Sequence, residues 1–210
     1  MPITIGIDPS LSNCGWAIHD DSLPVGNPGR CLSHGRFQTP SKMEFLVRYT
    51  TLRECVRSLI QDKNVRKVSI EYPFPGGSYS EGMWGLFLFV SEALRAEKCD
   101  VVFWSPMQIK AHARDSIERP LKWKMEKPDM VEAAATDVGH GRWNHNEADA
   151  YLAWVLGARF WKFLDGDLLA GELTPTETKY FTEIHVPKVG KTIKKGLIYR
   201  ENERFFAWSH

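Results

Sequence analysis

Residues 4–19 read TIGIDPSLSNCGWAIH. TIGID (Thr4–Asp8) is a compact apolar run closed by Pro-Ser, and CGWAIH (Cys14–His19) is a second such run. A third, CLSHGRF (Cys31–Phe37), follows the turn-rich LPVGNPG (Leu23–Gly29). Short β-prone runs separated by Pro, Gly and Asn read as strand, turn, strand, turn, strand. Three strands met in this order pair most simply as an antiparallel meander.

Downstream the periodicity changes. Between Lys42 and Gln61, Leu46, Tyr49, Leu52, Arg53, Val56, Leu59 and Ile60 recur at three- and four-residue spacing, which predicts a helix with one buried face. VRKVSIE (Val65–Glu71) is then a strand, halted by Tyr72-Pro73-Phe74-Pro75-Gly76-Gly77. Met83, Leu86, Phe87, Val90 and Leu94 mark a second helix, and Asp100–Trp104 a further strand before Ser105-Pro106. One or two helices are expected between Met107 and Val138, and a strong one from Asn146 to Leu164. The order β-β-β-α-β-α-β-α-α predicts an α/β domain: a mixed five-stranded sheet with helices on both faces. Residues 1–168 form this expected domain. Residues 169–210 read as a C-terminal extension, a small β appendage with strands at Lys179–Val186 and Leu197–Trp208 joined by the basic PKVGKTIKKG.

Composition narrows the class. The 210 residues carry 27 Lys+Arg against 26 Asp+Glu, a net charge of +1, and 43% are apolar, which suits a folded domain and excludes a disordered tail. Cys14, Cys31, Cys55 and Cys99 are scattered without a CxxC pair, so neither a disulfide framework nor a thiolate metal site is expected. No run of 18 apolar residues and no basic leader is present, so a cytoplasmic protein without a membrane partner is expected. The net charge alone does not announce a nucleic-acid partner.

Three acidic positions carry the chemistry. Asp8 ends an otherwise apolar strand, where it serves either as a turn former or as a metal ligand aimed out of the sheet. Glu71 ends a second strand and precedes a Pro-rich loop, and two strands delivering carboxylates to one end suggest a shared site. In HNEADAYLAW, Asp149 shares a helix face with Asn146 and His145, whereas Glu147 points elsewhere. Asn146 reads alternatively as the helix cap. Ala150 and Ala153 leave room for this helix to approach the sheet, bringing Asp149 near Asp8 and Glu71. Three clustered carboxylates repel unless divalent cations neutralise them, and hard oxygen ligands suit Mg²⁺ or Mn²⁺. Two such ions roughly 4 Å apart would serve phosphodiester hydrolysis.

These motifs resemble those of the RuvC-like Holliday-junction resolvases, in the RNase H-like superfamily. IGIDPSLSNCGWA (Ile5–Ala17) is similar to the family's first motif, IEYPF (Ile70–Phe74) to its second, SPMQIK (Ser105–Lys110) to its lysine-bearing segment, and EADAYLAW (Glu147–Trp154) to its acidic helix. The resemblance implies an RNase H-like fold and a homodimer that binds a four-way DNA junction and nicks opposing strands with two Mg²⁺ per site. It implies metal ligation by Asp8, Glu71 and Asp149. The family's remaining acidic position is Asn146 here, which leaves His145, Asn146 or Glu147 as fourth ligand. Phe74 falls where the family carries a junction-wedging aromatic; a loop-tucking hydrophobe is the other reading. Lys110 matches the first active-site lysine, and Lys127 is the favoured second, with Lys122 and Lys124 competing. The replaced acidic position and the tail also resemble bacteriophage members.

Two stretches concentrate positive charge. Lys110–Lys127 holds six Lys/Arg, including Arg114, Lys122 and Lys124, against three acids, and His185–Arg204 holds six, including Lys188, Lys191, Lys194 and Lys195, against two. Such runs either track phosphates or are solvated faces. Trp123 reads as a stacking platform or as a packing anchor. Trp84, Trp154 and Trp161 read as core or dimer interface. The rival functions are another RNase H-like nuclease acting on branched DNA or RNA–DNA hybrid, an actin-like sugar kinase or ATPase, and a non-catalytic nucleic-acid-binding module.

Overall fold

A computed structural model describes residues 3–23, 27, 30–73, 81–138, 142–181, 197–200 and 203–207. The opening strands form the expected meander: β1 (Ile3–Asp8), β2 (Asn13–Asp20) and β3 (Cys31–Gln38) pair antiparallel in succession. After helix α1 (Phe45–Lys63), strand β4 (Lys67–Glu71) returns parallel to β1. Helix α2 (Glu81–Ala96) then leads to β5 (Asp100–Trp104), parallel to β4. Helices α3 (Pro106–Ser116), α4 (Lys127–Val138), α5 (His145–Asp165) and α6 (Pro175–Phe181) follow. Strands β6 (Leu197–Arg200) and β7 (Glu203–Ala207) continue the sheet beyond β5, giving the order β3-β2-β1-β4-β5-β6-β7. The five expected strands are thus contiguous, and the last two lengthen the same sheet.

Strand alternation splits the core in two. Ile5, Ile7, Val68, Ile70, Val101 and Phe103 point to the face covered by α1 and α2. Val102 and Trp104 point to the other, covered by α3 to α6. The buried stripe of α1 is Arg48, Leu52, Val56 and Ile60, whereas Leu46, expected inside, is 55% exposed. Arg48 is drawn inward because it donates to Thr39 Oγ1 and Ser12 Oγ.

The long helix α5 lies against β1, β2 and β4 with almost nothing between. A Cβ on Gly6 would stand 2.0 Å from the Ala150 carbonyl oxygen, and one on Gly15 2.1 Å from that of Asn146. On the helix side, a Cβ on Gly157 would meet Ser69 Oγ at 2.4 Å. Main chain rests on main chain, so the position of α5 is set by backbone geometry. Its cap is Asn144, whose side chain accepts from the Asn146 N–H; Asn146 is not the cap.

The tail departs from expectation at Lys179, where a strand was expected. Lys179–Phe181 belong to α6, whose start is closed reciprocally: Glu177 N–H donates to Thr174 Oγ1, and Thr174 N–H donates to the Glu177 carboxylate. The sequence Thr174-Pro175-Thr176-Glu177 is a capping box with Pro at the first helical position, and this local signal outweighs β propensity. Residues 182–196, including Lys188, Lys191, Lys194 and Lys195, lie outside the described residues, as does Phe74.

Candidate active site

Alternation and topology together assemble the acidic centre. Asp8 follows Thr4 and Gly6 on the face of β1 that meets α5, and Glu71 follows Lys67 and Ser69 on the same face of β4. Because β1 and β4 are parallel, both carboxylates emerge at the same sheet end. Asp8, Glu71 and Asn146 line one cavity of about 170 Å³, closed by Ser10, Tyr72 and Met83. Asp149 lies one turn beyond Asn146 on α5.

The electrostatics mark a strained pair. Burial, and then the neighbouring Asp149 charge, push the Asp8 carboxyl well above its usual range, with Lys127 opposing. Burial likewise raises Asp149 to about 6, against the pull of Lys110 and Lys127. Asp149 Oδ1 is buried without a hydrogen-bond partner. A buried carboxylate oxygen left unpaired is costly, and a cation beside it removes that cost. Among the described residues no group of three or more His, Cys, Asp or Glu side chains converges tightly enough to cage a metal ion. The donor set nonetheless fits a hard divalent cation: two mutually repelling aspartates, one orphaned oxygen, and Glu71 and the Asn146 amide bordering the same cavity.

Of the candidate lysines, Lys110 and Lys127 are the two whose charges act on Asp149. Lys127 Nζ also lies 3.1 Å from His145 Nε2. Burial, then Lys127 and Arg36, depress the His145 pKa. Lys122 and Lys124 are exposed on the loop before α4, with Lys124 3.5 Å from Glu126. Glu147 is turned away from the cavity: its Oε2 is 2.7 Å from His34 Nδ1 on β3, and the His34 ring stacks on Trp143. Arg114 is engaged within the protein, by Asp115 and by the Leu121 carbonyl oxygen. Trp154 and Trp161 are core residues at 1% and 2% exposure.

Sequence reasoning missed Arg36 on β3, whose charge acts on His145, and missed the Ser10, Tyr72 and Met83 walls. Arg36 sits beside Gly35 in the meander, and only the register of β3 on β2 brings it to the site. Ser10 and Tyr72 directly follow the two carboxylate-bearing strand ends, so adjacency was an available signal.

Two solved structures resemble this fold. A RuvC structure from Thermus thermophilus aligns with a TM-score of 0.59 at 16% identity, covering 78% of this chain and 96% of that one. T. thermophilus RuvC in complex with a Holliday junction substrate aligns with a TM-score of 0.59 at 16% identity, covering 79% and 97%. No family model matches the chain, and no curated protein does. The fold is RuvC-like, that is, RNase H-like.

Proposed function

We propose that this chain is a metal-dependent, structure-selective DNA endonuclease that resolves four-way junctions by paired nicks. The observation that carries this reading is the pairing of Asp8 with Asp149 beside a cavity lined by Glu71, on a sheet whose parallel β1 and β4 bring both strand-end carboxylates to one edge. The RuvC-like fold supports it. Asp8, Glu71 and Asp149 would hold Mg²⁺ or Mn²⁺, with the Asn146 amide oxygen as a neutral neighbour. When bound, the metal supplies an acidified water and neutralises charge on the phosphodiester.

The remaining work falls to the chain itself. Burial raises the carboxyls of both Asp8 and Asp149, so their ionised forms cost stability that a bound cation would offset. Lys110 and Lys127 offset that charge from the protein side, and their ammonium groups are donors for a phosphate entering the cavity. His145 Nε2 lies 3.1 Å from the Lys127 ammonium and positions it. Glu147, paired with His34, is outside this set.

One acidic centre cuts one strand, so paired nicks need two copies of the chain. The face shared by α1 and α2 suits a homodimer contact: Phe45 and Leu46 are 55% exposed, Leu88 is 62% exposed, and Tyr49 packs between Phe45 and Phe89. Among the described residues no helix is long and apolar enough to cross a membrane.

The test compares cleavage of a labelled four-way junction, a linear duplex, a Y-fork and an RNA–DNA hybrid, with and without Mg²⁺. Symmetrical nicks confined to the junction are expected. A preference for the hybrid would reassign the substrate, and junction binding without cleavage under any divalent metal would leave a binding module. Asn146→Asp is expected to lower the Mg²⁺ concentration needed for half-maximal rate.

A further inference from the structure

The loop joining α3 to α4 holds two apolar side chains out in water. Residues 121–124, Leu-Lys-Trp-Lys, are all exposed, Leu121 at 81% and Trp123 at 48%. The loop is fastened along its length. Arg114 Nη1 donates to the Leu121 carbonyl oxygen at 3.1 Å, and Trp123 N–H donates to that of Pro120 at 2.8 Å. The Arg119 guanidinium lies 5.4 Å over the Trp123 ring and is itself held by both oxygens of Glu132, at 2.8 and 3.0 Å. Met125 is sunk into the core at 5% exposure, and Glu126 N–H donates to Asp129 Oδ2 as α4 begins.

We propose that this loop is a base-stacking platform: Trp123 takes an unpaired base of the branched DNA on its open face, with Leu121 alongside. The proposal rests on the nuclease reading and adds a contact to it. The loop's main chain is tied with both side chains outward, so binding needs little further ordering. The occupant's chemistry is set by what flanks the ring. Lys122 and Lys124 carry charge for phosphates on either side, and Arg119 under the ring suits a π-face above it. The placement agrees: Lys127 is four positions after Trp123, a span of at most about 14 Å. That is about four nucleotides of stacked strand at about 3.4 Å each, so a base on Trp123 stays connected to a phosphate at the acidic centre.

The experiment measures binding by fluorescence anisotropy in an Asp8→Asn background with Mg²⁺, using a synthetic four-way junction, an oligothymidylate and a blunt duplex. Trp123→Ala is expected to weaken junction and oligothymidylate binding about 5- to 150-fold, with duplex binding changed less than about twofold, since a closed duplex offers no unpaired base. Trp123→Phe is expected to restore most of the loss, which a purely structural role for the indole would not predict. Lys122→Ala with Lys124→Ala is expected to weaken all three and to reduce the salt slope by about 2. Junction and oligothymidylate binding by Trp123→Ala within twofold of the parent would overturn the proposal while leaving the nuclease reading standing. Equal losses on all three DNAs would also overturn it, pointing to general attraction. A parent protein that binds neither junction nor single strand would overturn both.

Discussion

Helix α5 contributes to two groups of buried carboxylates, and the two behave in opposite ways. Around Glu177, every acid has donors. Arg159 gives two guanidinium bonds to Glu177, Thr174 N–H gives a third, and His112 Nδ1 stands 3.7 Å away. Asp115 accepts from Arg114 and Thr176, and Tyr151 donates to Asp137. Burial alone would raise Glu177, which is 0% exposed, yet these bonds hold it below the ordinary carboxylate range. At the other end of the helix, burial acts on Asp8 and Asp149 without such donors, and both are raised. Carboxyls that burial alone would raise therefore separate by partner supply. The saturated group fastens α6 to the domain. The unsaturated one keeps a standing demand for positive charge.

The largest expected effect is kinetic. Asp8→Asn should lower junction cleavage by about 10³-fold or more, about 4 kcal/mol of barrier, with no loss of melting temperature. Should the melting temperature fall instead, Asp8 belongs with the fastening groups. Next is Glu177→Ala, which strands Arg159 beside His112. Removing one partner of a buried pair costs about 3–5 kcal/mol, and a melting temperature about 10 °C lower is expected. Asp149→Asn should move the other way. The native carboxyl titrates near 6 against 3.8 for the free group, so native protein keeps a proton that unfolded chain has lost between those values. Wild-type stability then falls as pH rises through that window and stays reduced above it. In metal-free buffer at pH 8 the variant should gain about 3 kcal/mol over wild type, and the gain should vanish below about pH 4. Urea titrations at pH 8 and pH 4 test both the sign and the window. The smallest effect is on ligand linkage. Mg²⁺ at about 100 times its Kd should stabilise wild type by at most about 2.7 kcal/mol at pH 8, less at pH 5 where protons compete, and least in Asp149→Asn.

Much of this was legible before any coordinates. The meander followed by two crossovers announced a mixed sheet, and the strand-end positions of Asp8 and Glu71 suggested a shared site; that β1 and β4 are parallel neighbours is what the structure adds. Ala150 and Ala153 signalled a close helix, although the glycines that let the sheet receive it, Gly6 and Gly15, drew no notice. Local competition misled at two points: Asn144 outranks Asn146 as cap, and Thr174-Pro175-Thr176-Glu177 winds a helix where β-formers follow. Long-range pairing was invisible. Nothing near Glu177 announces Arg159 as its partner, and nothing near Glu147 announces His34. Such contacts depend on which helix faces settle together, which no spacing rule carries.

The C-terminal hairpin has a consequence for how the domain survives in company. Strand β6 pairs with β5 through Val101–Tyr199 and Val102–Ile198, and so occupies main-chain groups that a bare β5 would offer sideways. That strand reads DVVFW, a β-prone segment with a single charge, the kind that recruits identical strands and seeds fibrils when its edge lies open. With the sheet's border moved out to β7, β5 is paired on both sides, and the edge open to another strand is β7.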